Sequence, residues 1–183
     1  PLRVGVLGRA REPGAALAGG AGAPRTVPRR RRDPGAGVDD DLGHVGARGT
    51  AYWNVRLLDH LFDFAEIRVH SRRPESRGAF AARLTADLGK QVTAVDSWQA
   101  CLEGADIMVE ASRLDRPEPL FKTAWVKKGA LVIPYGTMSA VELSLTDIMD
   151  KMVMDDWGQA RAGKFGALRA HVDAGKLSEA TLY

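Results

Sequence analysis

Two short clusters in the sequence have residue types that suit phosphate groups. Ser71–Arg73 offers a hydroxyl group and two guanidinium groups, and a guanidinium group pairs with phosphate through two parallel hydrogen bonds. Gly46–Ala51 is a glycine-containing turn before a helical pattern, where backbone N–H groups can approach phosphate oxygens. Each cluster also has a purely structural interpretation. The arginines would be solvated residues at a helix start, and the glycine turn would only separate two secondary-structure elements.

The elements that would position these clusters form an alternating pattern. β-rich runs are separated mostly by segments of helical periodicity, which are typical of the crossover connections in a parallel sheet. The run Ala130–Ile133 is continuously apolar, as expected for a strand covered by helices on both faces. We therefore predict an α/β fold with a doubly wound, mostly parallel sheet. Its predicted strands are Glu66–Ser71, Gln91–Val95, Asp106–Ala111, Ala130–Pro134 and Met152–Asp155.

Ligands of such sheets bind beyond the carboxyl ends of the strands. The segments to expect at that edge are Ser71–Arg73, Ala111–Arg113, Pro134–Thr137 and Asp155–Trp157.

Two helices are predicted to pack on the sheet. The first is Ala51–Phe62, with Trp53, Leu57, Leu58 and Leu61 at helical spacing as its core-facing side, and the second begins at Pro74 and ends near Leu88. The segment before the glycine turn, Val38–Val45, is a poor candidate for a first strand, because Asp39–Asp41 would place charge at a buried position. The run Leu2–Leu7 has strand character, but a connection of some forty residues would separate it from the first helix.

Residues 1–50 have a restricted composition, without Lys, Ser, Asn, Gln, Ile, Met, Phe, Tyr or Trp. Prolines and glycines interrupt every long helix or strand after Leu7, so we predict a low-complexity, disordered segment over residues 1–45 and a dinucleotide-binding domain over residues 46–183. Two explanations of the composition stay open. The segment is either a native flexible arm or an out-of-frame translation of GC-rich coding sequence.

Composition also excludes several classes of function. The formal net charge is only +3, and four arginines lie in one run, Arg29–Arg32, so general nucleic-acid binding is not indicated. The single cysteine, Cys101, excludes an intramolecular disulfide and suits a reducing compartment. No apolar run approaches the roughly 18 residues that cross a bilayer. We expect a cytoplasmic protein without membrane or nucleic-acid partners.

The order of these motifs resembles the ornithine cyclodeaminase and mu-crystallin family. The similarity includes the strand that ends in an arginine loop at Glu66–Arg73, the Ala-Asp-opened strand Ala105–Ser112, and the Trp-Lys-Gly segment before a buried strand and glycine loop at Trp125–Gly136. Glu142-Leu143 and Val153–Asp155 resemble later family motifs. The resemblance implies a Rossmann-like domain, with the family's substrate and dimerisation domain largely missing.

The resemblance also implies a function and a site. The family exchanges hydride between NAD or NADP and an amino acid or cyclic imine, and its crystallin branch suggests a non-catalytic NADP-binding alternative. An inactive fragment is a third possibility, and a homodimer is expected if the full-length chain exists. Arg72 and Arg73, with no acid before Glu75, favour NADP. The expected cofactor-binding residues are Gly46, Gly49, Ser71, Arg72, Arg73, Ala111, Ser112, Tyr135 and Gly136.

One departure from the family pattern affects the expected chemistry. Many members have an Asp shortly after the glycine that follows the fifth strand. Here five residues separate Gly136 from the first acid, Glu142. Loss of a positioned general acid or base typically removes a factor of about 10²–10⁴ in rate. No catalytic residue is therefore assigned, and we expect no cyclisation of ornithine by this chain.

Overall fold

The structure is a computed structural model, and it describes residues 5–7, 40–114, 116–135, 140–154, 157–158, 167–175 and 177–182. Its strands are β1 (Gly5–Leu7), β2 (Asp41–Val45), β3 (Glu66–His70), β4 (Val92–Ala94), β5 (Ile107–Glu110), β6 (Leu131–Pro134) and β7 (Met152–Met154). Its helices are α1 (Ala51–Phe62), α2 (Pro74–Leu88), α3 (Trp98–Leu102) and α4 (Ala167–Asp173). Short 3₁₀ helices span Thr123–Trp125, Leu143–Ile148 and Glu179–Thr181.

The seven strands that the described residues contain form one sheet in the order β4-β3-β2-β5-β6-β1-β7. The first five are parallel, with Leu42 of β2 opposite Ile67 of β3 and Ile107 of β5. The short β1 pairs antiparallel with both β6 and β7. The predicted doubly wound α/β fold is confirmed. The chain builds outward from β2 to β4 and then crosses back to β5, so the strand order reverses between β2 and β5.

Helices cover both faces of the parallel part. On one face, α1 and α2 pack over a cluster that includes Leu42, Ile67 and Val109. On the other face, α3 packs over a cluster that includes Val45 and Met108. Residues of β2 therefore alternate between two apolar cores, which accounts for the burial of all four positions from residue 42 to 45.

Local sequence signals set the helix ends. Pro74 opens α2 at a position where a missing N–H costs nothing, and Gly89 ends it with φ +67°, a left-handed conformation that glycine adopts readily. Ser97 caps α3, since its hydroxyl oxygen accepts a hydrogen bond from the Ala100 N–H at 3.0 Å. The Pro74 signal explains why the predicted start of α2 agrees with the structure.

The prediction for residues before the glycine turn was wrong. The sequence predicts that Val38–Val45 is a poor strand and that residues up to 45 are disordered, but Asp41–Val45 is β2, the central strand of the parallel part. Asp41 does not bring a charge into the core, because it is only half-buried at the amino end of the strand. Gly5–Leu7 is a strand, but it lies in the antiparallel part. The expectation of disorder for residues 8–39 falls outside the described residues.

The predicted packing side of α1 was also wrong. Of its four predicted core residues only Leu58 is buried, whereas Trp53 is 63% exposed and Leu57 is 57% exposed. The buried face instead consists of Ala51, Asn54, Val55 and Leu58, at the i, i+3, i+4, i+7 spacing of a helix face. The guanidinium group of Arg56 lies 5.3 Å from the centre of the Trp53 ring and covers part of it.

The helices in the described part of the chain also bear on membrane insertion. None of its helices combines the length and the apolar character that crossing a bilayer requires.

Candidate functional site

The glycine turn lies where the strand order reverses. Gly46 directly follows β2 with φ +112°, and its N–H donates to the His70 carbonyl at the end of β3 (2.8 Å). A Cβ atom at Gly46 would lie 2.7 Å from the carbonyl oxygen of Ala111, just after β5. Only glycine fits both the left-handed backbone and this close approach. The turn is therefore held between the carboxyl ends of three strands, where open parallel sheets bind ligands.

A buried histidine in β2 forms a hydrogen bond that holds this turn. His44 in β2 is 0% exposed, and its Nδ1 lies 3.1 Å from the Gly46 carbonyl oxygen. A carbonyl only accepts, so Nδ1 carries the proton and donates it. Burial lowers the pKa of His44 to about 4, because desolvation disfavours the charged imidazolium. The ring is therefore neutral near pH 7.

The turn leads into the amino end of α1. Ala51, the first helical residue, is 1% exposed, so the helix packs closely against the sheet. Thr50 precedes it without a side-chain capping bond, and the Ala51 N–H donates to the Arg48 carbonyl at 3.2 Å. Amino ends of helices carry N–H groups and a partial positive charge that stabilise phosphate. Gly49, also predicted to bind cofactor, lies in this turn with φ +58°.

The arginine loop follows β3 at the same edge of the sheet. Ser71 is half-buried, and its hydroxyl donates to the Arg73 carbonyl at 3.3 Å, while Arg72 and Arg73 are exposed. Among the described residues, no group bonds either guanidinium group. Arg77, which no sequence pattern indicated, donates to the Ser71 carbonyl (3.3 Å) and forms an ion pair with Asp96. Arg77 therefore joins the tip of β3 to the tip of β4.

A buried carboxylate follows in β5. Glu110 is 1% exposed, and its Oε1 accepts hydrogen bonds from the Ser112 N–H (2.7 Å) and the Ser112 hydroxyl. Ala111 and Ser112 thus lie at the carboxyl edge, as predicted, with Ser112 oriented by Glu110. Glu110 was not among the predicted site residues. An acid inside an otherwise apolar strand was the signal that could have identified it.

Tyr135 follows β6 at this edge and donates its N–H to the Glu110 carbonyl at 2.6 Å. Burial raises the pKa of the Tyr135 hydroxyl, so the ring is neutral near pH 7. Gly136 and Asp155 lie outside the described residues. Eight of the nine residues predicted to bind cofactor thus lie along one edge of the sheet, and their binding role stays a prediction.

The first acid after Gly136 has a different environment. Glu142 accepts a hydrogen bond from the Thr123 N–H at 2.8 Å and pairs with Lys122 at 3.1 Å. The bond from Thr123, with a smaller contribution from Lys122, lowers the pKa of Glu142. The Glu142 carboxylate stays ionised and links its own loop to the loop that contains Lys122 and Thr123. Within the described ranges, no cluster of His, Cys, Asp or Glu has the arrangement of a metal site.

Comparison with solved structures gives partial matches. An archaeal alanine dehydrogenase dimer with bound NAD matches with 19% identity and a TM-score of 0.63, over 79% of this chain and 44% of that one. Delta(1)-pyrroline-2-carboxylate reductase of Thermococcus litoralis, in complex with NADH and L-proline, matches with 22% identity and a TM-score of 0.45, over 50% and 28%. Quinate dehydrogenase of Corynebacterium glutamicum, in complex with NAD, matches with 22% identity and a TM-score of 0.43, over 53% and 36%.

The chain thus spans less than half the length of each of these proteins, and the alanine dehydrogenase match supports the doubly wound fold. No curated protein sequence matches the chain significantly. The sequence model of the ornithine cyclodeaminase/mu-crystallin family, by contrast, matches residues 39–163, from just before β2 to beyond β7. This range includes the glycine turn, the arginine loop and the ends of β5 and β6. The chain belongs to the ornithine cyclodeaminase/mu-crystallin family.

Proposed function

We propose that the chain is the nicotinamide-nucleotide-binding domain of an NAD(P)-dependent oxidoreductase that acts on an amino acid or a cyclic imine. The observation that carries the proposal is the position of Gly46 at the reversal of strand order, between the tips of β2, β3 and β5. Family membership supports it. When bound, the nicotinamide supplies hydride chemistry, and the residues of this chain hold and orient the nucleotide.

We further propose a preference for NADP over NAD. Arg72 and Arg73 are exposed at the tip of β3, and no described group bonds their guanidinium groups. NAD-specific folds place an acid at this tip to bond the ribose 2′-hydroxyl group, whereas an arginine accommodates a 2′-phosphate. A charged hydrogen bond contributes about 1.5–3 kcal/mol, which corresponds to roughly ten- to hundred-fold in affinity.

The experiment titrates the chain with NADH and NADPH and follows nicotinamide fluorescence. NADPH should bind more tightly, and the double variant Arg72→Gln/Arg73→Gln should lose this preference while its NADH affinity changes little. The matched control is Lys128→Gln, which removes one exposed positive charge in the turn before β6, at the opposite edge of the sheet. Tighter binding of NADH would overturn the preference. Failure of the wild type to bind either nucleotide would overturn the proposed function.

A second candidate is a non-catalytic NADP-binding protein, and the state of Glu142 favours it. The carboxylate is occupied by the Thr123 N–H and Lys122, so it is poorly suited to exchange protons with a substrate. The two candidates differ in turnover. Oxidation of NADPH by pyrroline-2-carboxylate, or by pyruvate with ammonia, would favour the enzyme, whereas tight binding without turnover would favour the binding protein.

A further inference from the structure

The glycine turn departs from the dinucleotide-binding fingerprint at one position. In the pattern G-x-G-x-x-G/A, the first glycine makes the turn, the second lets the backbone approach the pyrophosphate, and the last allows close packing of helix and strand. Gly46 and Ala51 occupy the first and last positions, and their conformation and burial fit these roles. The second position is Arg48, and a glycine follows one residue later, at Gly49.

The geometry of Arg48 places its side chain next to the phosphate-binding end of α1. Its carbonyl accepts the Ala51 N–H, so Arg48 lies within one turn of the helix start. It is exposed, and within the part of the chain that the structure describes no group bonds its guanidinium group. A Cβ at Gly49 would meet nothing within 4 Å, so the outer side of the turn is open.

The surrounding charges favour an anion at this position. Arg72, Arg73 and Arg113 are exposed at the same carboxyl edge of the sheet. Asp96, just after the neighbouring β4, is paired with Arg77. Exposed guanidinium groups at the sheet edge where a helix begins attract a polyanion more strongly than a glycine turn alone does.

We propose that Arg48 binds the pyrophosphate of the nucleotide through its guanidinium group, replacing the backbone approach that the missing second glycine allows in other dinucleotide folds. The inference rests on the proposed function, since it concerns the same nucleotide site. In place of a peptide N–H contact with the pyrophosphate, the arginine makes a charged contact that can be bidentate. The chain therefore recognises the diphosphate by a side chain and not only by its backbone.

The test measures competition by ADP and by adenosine against bound NADPH, in the wild type, Arg48→Gln and Arg48→Gly. Arg48→Gln should weaken ADP binding by roughly ten- to hundred-fold and leave adenosine binding unchanged, because only ADP carries the diphosphate. Arg48→Gly restores the fingerprint glycine but removes the charge, and it should also bind ADP more weakly than the wild type. Lys128→Gln removes a charge at the opposite edge and should behave as the wild type.

Three outcomes would overturn the inference and leave the proposed function standing. Unchanged ADP binding in Arg48→Gln would show that the guanidinium group makes no contact. Tighter ADP binding in Arg48→Gly would show that the side chain obstructs the nucleotide. Equal losses for adenosine and ADP would show that Arg48 acts on the shape of the turn. If the wild type and Lys128→Gln bind no nucleotide, the proposed function itself fails and the inference falls with it.

Discussion

Acid should destabilise this domain through one histidine. His44 is fully buried in the central strand and is neutral, with its pKa lowered to about 4 from the ordinary 6.5. In the unfolded chain the same ring titrates near 6.5, so below that pH the unfolded state binds a proton that the native state does not. Stability from His44 is therefore complete above about pH 6.5 and is lost as the pH falls toward 4.

The magnitude follows from the separation of the two pKa values. Each pKa unit corresponds to 1.36 kcal/mol, so the full effect is about 3 kcal/mol, and roughly 2 to 3 kcal/mol of it is lost between pH 7 and pH 4.5. That is a large fraction of the about 5–15 kcal/mol that stabilises a typical domain. The imidazolium keeps the Nδ1–H bond to the Gly46 carbonyl, so the cost falls on the buried Nε2, which would carry the added proton.

The assay is urea unfolding at pH 7 and pH 4.5, for the wild type and for His44→Asn. The amide nitrogen of asparagine can still donate to the Gly46 carbonyl, but asparagine does not titrate. Between pH 7 and pH 4.5, the free energy of unfolding of the variant should therefore fall by about 2 to 3 kcal/mol less than that of the wild type. His60→Asn, at an exposed position of α1, is the control and should follow the wild type. The same acid sensitivity in His44→Asn as in the wild type would refute the reasoning.

Three further predictions concern close contacts in the fold. Gly43→Ala should lower the free energy of unfolding in urea by about 1–3 kcal/mol, because its Cβ would lie 2.2 Å from the Cys101 carbonyl oxygen. Gly78→Ala, in open space on α2, should raise it by up to about 1 kcal/mol, and equal effects of the two substitutions would contradict this. Gly46→Ala should weaken NADPH binding by about tenfold or more through backbone strain, and Gly49→Ala should weaken it much less. A larger loss of affinity in Gly49→Ala, measured by fluorescence titration, would count against the turn geometry. Burial raises the pKa of the Cys101 thiol to about 12, so the thiol should react with a disulfide reagent only after unfolding, and rapid labelling of the native protein would show that α3 packs differently.

Local signals were enough to predict much of the parallel sheet. The boundaries of α2 could be read from Pro74 and from the glycine after Leu88, and the arginine loop could be placed because it follows a clear strand. The position of Ser71–Arg73 at the carboxyl edge then followed from the parallel topology alone.

The failures arose where packing between distant elements decides the structure. Gly43 in β2 weakens the strand pattern, yet α3 approaches so closely that no side chain fits there. The apolar stripe of Trp53, Leu57 and Leu61 was more prominent in sequence than the true packing face, which includes the polar Asn54. Neither fact can be seen in a local window, because each depends on which element packs against the residue.

The place of β1 in the sheet has a consequence for the order of folding. Leu7 pairs with Val132 and Met152, so three residues near the amino end join β6 to β7 near the other end of the chain. Contacts between such distant positions form slowly, because a very long loop must close before any pairing energy is gained. We expect the five parallel strands to assemble first and β1 to insert late. In hydrogen exchange, the amides that β1 shares with β7 should then open well before those shared by β2 and β5.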